Sequence, residues 1–328
     1  LDDGELPFDQ LIVAAGATAT FFGLDGAEEH AYPLYNLADA TRLRNHVLER
    51  FEATAVDPSL ADDGALTFVV VGGGPTGVEV AGALVELFHK VLRKDFKHLD
   101  VDKARVVLVE MLDHLLPPFS DASRRHAADA LRERGVEVRT GTAVERVAAS
   151  EVVLSGGEVV PCHTLVWAAG VRANPLAEAL GLDVGRSGRV VVAPDLSVPG
   201  HPGVWAVGDV ALTLDDVGAP NPQVAQVAIQ SGRHAARQIR AQLGGMRTQR
   251  FRYRDKGMMA TIGRRSAVTE LPGGPKLSGT LAWVAWLGLD IVYLMGFRNR
   301  VSVLLNWAWN YLTWDRGPRL IFRRDDRR

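Results

Sequence analysis

Gly72-Gly73-Gly74-Pro75-Thr76-Gly77 satisfies G-x-G-x-x-G directly after the apolar run 66–71 (LTFVVV) and directly before a helix-forming stretch. In that context the first glycine permits a tight turn and the second lets a pyrophosphate approach the backbone. The third lets helix pack closely on strand, while N–H groups at the helix start hold the phosphate. Glu110 ends the next apolar run, ARVVLVE, where a carboxylate accepts from ribose hydroxyls and repels a 2′-phosphate; this favours NADH over NADPH. The spacing from the loop exceeds the usual figure of about 20 residues, because 84–101 makes a long helix and turn.

Glu79 lies two residues past Gly77, in the first helical turn. There a carboxylate suits either the helix N-terminus or proton handling near a nucleotide. Gly208-Asp209 follows the run VWAV, and an aspartate after such a turn can receive ligand hydroxyls. Gln226 and Gln230 in AQVAIQ lie one helical turn apart on one face, where amides bond a heteroaromatic ring or a quinone carbonyl, or simply face solvent.

Other chemistries lack their residues. Cys162 is the only cysteine, which excludes a disulfide framework, a multi-thiolate zinc site and a two-cysteine redox centre. The nine histidines contain no H-x-x-x-H pair, so no metal site is expected, and no G-x-S-x-G elbow supports hydrolysis. Lys+Arg 37 against Asp+Glu 39 gives a net charge of −2, with no overall basic field for nucleic acid.

The 328 residues favour two domains, and 47% hydrophobic with 23% charged residues exclude disorder and a polytopic membrane protein. Strands are expected at 11–15, 66–71, 104–110, 136–139, 151–154, 158–160, 164–168 and 203–207. Helices are expected at 36–55, 78–94, 121–134 and from 222 to about 243. This order is that of an α/β dinucleotide-binding fold with a small β appendage. Two strand-to-Ala-Ala-Gly signatures, ending at Gly16 and Gly170, suggest matching crossings between domains.

Five of the seven tryptophans fall in 281–314, and eight arginines stand against three aspartates after Phe297. The run 281–297 is too short for a clean span. In 301–314, Ser302, Asn306, Asn310 and Thr313 form a narrow polar stripe, leaving an apolar face with Trp307, Trp309 and Trp314. Such an element suits the interface of an anionic membrane; a buried helix pair and a homodimer interface are the competing readings. The opening residues show no secretory signal.

With these residues assembled, the chain resembles the type II NADH dehydrogenases, single-subunit flavin-containing NADH:quinone oxidoreductases. The resemblance is carried by FDQLIVAAGA, VVVGGGPTGVEVAGAL, ARVVLVE, LVWAAGV, GVWAVGDVA, AQVAIQ, YRDKGMMATIGRRSAV and the tryptophan-rich tail. It implies two Rossmann-like domains of the glutathione-reductase type with a C-terminal membrane-associating helical segment. It divides the chain into 1–35 and 171–245 for FAD, 36–170 for NADH, and 246–328 for quinone site and anchor.

It implies FAD at Ala15, Gly16, Gly208, Asp209 and Ala225. It puts NADH at Gly72, Gly74, Pro75, Thr76, Gly77 and Glu110, with Gly170 also at a cofactor. Glu79 falls near flavin and nicotinamide, Gln226 and Gln230 in the quinone pocket, and Lys256 near that pocket or in a structural role. The implied reaction passes hydride from NADH to FAD and two electrons to a membrane quinone, without proton pumping, in a peripheral protein at the cytoplasmic face. The family's first strand, glycine-rich turn and helix for the FAD pyrophosphate have no counterpart before Leu11. A non-catalytic NADH-binding membrane-associated fragment, or another flavin-dependent oxidoreductase of the superfamily, is therefore the alternative. A disulfide reductase is excluded because Cys162 has no partner.

Overall fold

The computed structural model describes residues 4–293 and 296–313. The chain forms two compact units: a smaller one from the portion up to Thr20 with Val171–Lys256, and a larger one from Phe21–Gly170 with the chain from Gly257 onward.

The larger unit is built on a five-stranded parallel sheet in the order Tyr32–Pro33, Thr164–Trp167, Thr67–Val71, Arg105–Val109, Val136–Arg139. Every residue of Thr67–Val71 and Thr164–Trp167 is buried, as expected of parallel strands covered on both faces. Leu43, Val47 and Phe51 of helix Leu37–Val56 pack into the core with Val78, Ala81 and Val85 of helix Pro75–Glu86 and with Ala127 and Leu131 of helix Asp121–Glu133. Phe51, Phe68 and Phe88 form an aromatic cluster with ring centroids 4.6–6.1 Å apart. Asn36 and Asp39 start the first of these helices with a reciprocal capping box.

The strands expected at 66–71, 104–110, 136–139, 151–154, 158–160 and 164–168 are present, shifted by at most one residue at their ends. The helix expected over 78–94 begins earlier, at Pro75, because proline at the first helical position is already set for the turn. It then widens into a π-helical turn at Leu87–Leu92. Two further antiparallel sheets belong to this unit. One is Val144–Val147, Glu151–Leu154 and Glu158–Pro161. The other, which sequence patterning did not reveal, is Met258–Gly263, Ser266–Glu270 and Lys276–Ser278. Helices Gly279–Tyr293 and Phe297–Thr313 follow it.

In the smaller unit, Leu11–Val13 pairs in parallel with Val204–Ala206, and Val190–Val191 with Ala211–Leu212. The two segments after the Ala-Ala-Gly signatures lie side by side, Ala17–Ala19 antiparallel to Val171–Ala173. Helix Ala225–Leu243 buries Val227, Ser231, His234, Ala235 and Gln238 along one face. It begins three residues later than expected, since Asn221 is held to Thr213 by its N–H at 2.9 Å and its side-chain amide at 3.1 Å. Pro220 and Pro222 also keep the residues before them extended.

Candidate functional site

In the larger unit the loop between Val71 and Pro75 has the geometry that its glycines anticipate. Gly72 adopts φ +109°, and a Cβ there would lie 2.7 Å from the Ala168 carbonyl oxygen and 2.8 Å from the Ala169 Cα. The small residues before Gly170 are thus the wall against which the loop turns. A Cβ at Gly77 would collide with the Gly72 carbonyl, so only glycine lets the helix start so close to the strand. Gly74, by contrast, has nothing within 4 Å of where a Cβ would stand. It is the N-cap of the helix and offers no capping side chain, and Pro75 and Thr76 beside it are exposed. The open space and the uncapped N–H groups together are the features by which a helix start can receive an anion.

Glu110 stands at the mouth of that loop. Its Oε2 accepts the Gly73 N–H at 2.5 Å and its Oε1 the Leu112 N–H at 2.8 Å. Each carboxylate oxygen keeps a second lone pair for a hydroxyl donor. The backbone bonds therefore fix the carboxylate without using up its capacity.

Glu79 is half-buried, and its Oε1 accepts the backbone N–H of Thr261 at 3.1 Å. Thr261 belongs to Met258–Gly263, an edge strand of its sheet, whose outward N–H groups need acceptors. The same helix face supplies two more contacts to that strand and its turn. A Cβ at Gly82 would overlap the Ile262 carbonyl, and the Glu86 Oε1 accepts the Arg264 N–H at 2.6 Å. Residues 79, 82 and 86 are spaced three and four apart and form one stripe. Glu79 thus joins the nucleotide-loop helix to the C-terminal sheet. Gly82, a glycine inside a helical pattern, was the available signal of this close crossing; the C-terminal strand it meets gave none.

In the smaller unit, Gly16 follows Ala15 with φ +71°, and its carbonyl accepts the Asn174 N–H at 3.1 Å. Gly208 also has φ +71°; its N–H donates to the Ser231 Oγ at 3.0 Å, and a Cβ would press on the Ala228 Cβ at 3.3 Å. The Gly208–Val210 turn is therefore seated directly on helix Ala225–Leu243. The Asp209 carbonyl accepts from the Gln223 amide at 3.0 Å. Ala225 and Gln226 open that helix, whose N-cap, Val224, offers no side-chain acceptor.

The two glutamines differ in role. Gln226 Oε1 is buried with no hydrogen-bond partner among the described residues. Gln230 uses both ends of its amide on the backbone of Arg254, donating to its carbonyl at 2.9 Å and accepting its N–H at 3.0 Å. It thereby holds the segment that ends in the exposed Lys256, two residues on. Cys162 is 3% exposed, and burial pushes its thiol up to about 12, so it remains a neutral thiol.

The tail begins on the C-terminal sheet, with Ala282 fully buried and the Thr280 hydroxyl bonded to the Arg265 carbonyl at 3.2 Å. Trp286 and Trp307 stack at 6.2 Å and 13°. Trp307, expected on the outward apolar face, is thus turned onto the neighbouring helix. Leu305 and Trp309 remain 67% and 63% exposed. Trp314 and the arginines from Arg316 onward lie outside the described residues. No described helix is long and apolar enough to cross a membrane.

Residues 2–232 match the pyridine nucleotide-disulphide oxidoreductase family, and residues 256–314 match the NDH2 C-terminal domain. The chain is 40% identical over 326 residues to the type II NADH:quinone oxidoreductase Ndh of Mycobacterium tuberculosis, covering 95% of this chain and 69% of that protein. It is 32% identical over 328 residues to the mitochondrial internal alternative NAD(P)H-ubiquinone oxidoreductase A1 of Arabidopsis thaliana, covering 94% and 64%. Its fold superposes on the solved NDH2 of Plasmodium falciparum in complex with NADH with a TM-score of 0.84 at 20% identity, over 96% of this chain and 80% of that one. This chain belongs to the type II NADH:quinone oxidoreductases, within the pyridine nucleotide-disulphide oxidoreductase family.

Proposed function

We propose that the larger unit takes NADH on Gly72–Gly77 and Glu110, that the smaller unit takes FAD around Ala15-Gly16, Gly208-Asp209 and Ala225, and that a membrane quinone is the acceptor. The chain is an NADH:quinone reductase that does not pump protons. The observation that carries the assignment is the loop at Gly74, open where a phosphate must enter and closed by backbone at Gly72 and Gly77.

The smaller unit suits a flavin by the same test. Two turns at positive-φ glycines, an uncapped helix start and the buried, unpartnered Gln226 Oε1 are offered within one unit. Bound FAD supplies the redox chemistry, taking hydride from NADH and yielding two electrons to quinone. The protein's part is position and charge. The Gly74 cradle and Glu110 hold the pyrophosphate and ribose of NADH. Glu79, anchored to the Thr261 N–H by Oε1, is the carboxylate placed for proton handling. Gln226 offers an acceptor, and Gln230 fixes the segment that leads to Lys256, a candidate cation for a quinone oxygen.

For the membrane, the outward face of the tail carries Leu281, Val284, Val292, Phe297, Leu305 and Trp309, each more than half exposed. Such a face suits burial in the headgroup region, parallel to the surface. We place the protein peripherally, at the cytoplasmic face where NADH is available, and a homodimer is compatible with the same helices.

The direct test supplies the purified chain with FAD, NADH and a water-soluble quinone. NADH should disappear in step with quinone reduction. NADH consumption that ignores the quinone, or none at all with flavin bound, would overturn the proposal.

A further inference from the structure

Arg189 is a buried cation that the reaction has not accounted for. It is 4% exposed, in the unit that carries the Gly208–Val210 turn. The Val190–Val191 pairing with Ala211–Leu212 sets it next to the end of that turn. Its Nε–H donates to the Ala211 carbonyl at 2.9 Å and its Nη1–H to the Asn221 carbonyl at 3.0 Å. Ala211 is the first residue after the turn. Asn221 lies two residues before Gln223, which bonds the Asp209 carbonyl, and four before the start of helix Ala225–Leu243. One side chain therefore ties the turn to the loop that delivers the helix on which the turn rests.

Neutral carbonyls alone compensate a buried guanidinium poorly, and such groups are retained where a counter-charge faces them. Burial pushes the Arg189 pKa down, and Asp209 is the anion that pulls it back up; Arg186 is the cation that opposes it. Nη2 is buried and has no hydrogen-bond partner among the described residues. An apolar side chain would fill the volume without stranding a donor, so the charge has a use beyond packing.

We infer that Arg189 is the positioning residue of the flavin site, acting through Asp209: it fixes the turn and holds the aspartate for a hydroxyl of the bound flavin nucleotide. This rests on the flavin reading of Gly208-Asp209. Arg189 itself need not touch the ligand.

The test titrates FAD into the full chain and its R189M, R189K, D209N and R189M/D209N variants, following flavin fluorescence, with NADH affinity as the measure of an intact larger unit. R189M should weaken FAD binding by about tenfold or more, because it removes both carbonyl bonds that tie the turn to the Asn221 loop. R189K, which keeps the charge but loses the planar fork, should fall in between. R189M should add little once Asp209 is already Asn, because the two act as one unit. A merely structural arginine would weaken binding equally in both backgrounds, and that additivity would overturn the inference. So would FAD affinities of R189M and R189K within about twofold of the unsubstituted chain, a difference too small for a coupled pair. Should R189M fail to fold, R189K and R189K/D209N give the same comparison. If the unsubstituted chain binds no FAD, or D209N binds it as tightly as the unsubstituted chain, the flavin reading itself falls, and this inference with it.

Discussion

Glu110 and Glu79 show what a residue's type and place can and cannot reveal. Glu110 could be singled out because its place follows from local order: strand, glycine turn, helix, strand, acid. Glu79 was legible as a first-turn carboxylate, but its bond to Thr261 depends on a strand 182 residues away in sequence, and no local pattern announces that. Substituting Gln for Glu79 keeps a carbonyl acceptor for Thr261 while removing the charge. We expect E79Q to keep the fold and NADH affinity while slowing quinone reduction by about tenfold or more, the scale of a lost general acid or base; unchanged turnover would make Glu79 a purely structural contact. Cys162 offers a second check. Since burial pushes its thiol up to about 12, the native chain should resist alkylation at about pH 8 and label only on unfolding. Rapid native labelling would show that strands Glu158–Pro161 and Thr164–Trp167 open around it.

Among the elements, helix Pro75–Glu86 does two jobs, starting at the glycine loop proposed for NADH and packing on the C-terminal strand through Glu79, Gly82 and Glu86. Alanine is the better helix former by about 0.8–1.0 kcal/mol, yet a methyl at Gly82 meets backbone that must shift, at about 1–3 kcal/mol. G82A should therefore lower the melting temperature, and a rise would mean that the strand yields freely. The strands of the parallel sheet were legible as uninterrupted apolar runs. The sheet Met258–Gly263, Ser266–Glu270 and Lys276–Ser278 was not, because KGMMATIGRRSAVTE mixes small, polar and charged residues without clean alternation; its burial comes from the helices that cover it.

Glu270 of that sheet accepts hydrogen bonds from the Ser120 N–H and the Ser120 and Ser123 hydroxyls. Burial pushes its carboxyl up, but these bonds outweigh it and hold the pKa below its ordinary value. A depressed carboxyl contributes stability that is present above the unfolded pKa and lost as pH falls through the folded one. E270Q should accordingly melt lower than the unsubstituted chain near neutrality, and the gap should close in acid, below about pH 4; a gap that widened in acid would reverse the assigned sign. At the tail, replacing Leu305 and Trp309 by Ser should weaken binding to anionic vesicles without changing NADH affinity, if that face meets lipid.

At the scale of the whole molecule, the chain passes between its two units after Thr20, after Gly170 and after Lys256. The Ala-Ala-Gly signatures end at Gly16 and Gly170, near the first two crossings, whereas the resemblance divides the chain after 35, 170 and 245. The third crossing was not legible, because Lys256-Gly257 looks like any loop. The α/β class and the two-unit plan thus came from periodicity and glycine placement. The uses of Arg189, Gln230 and Glu86 are set by partners distant in sequence.

The central claim is that electrons pass from NADH through a flavin held by this chain to a quinone. It is tested most directly by the visible absorption of the chain with FAD under anaerobic conditions, recorded before NADH, after NADH and after quinone. The flavin band should stay with the protein, bleach on addition of NADH and return with quinone. Retained flavin that NADH leaves oxidised, or reduced flavin that quinone does not reoxidise, would contradict it.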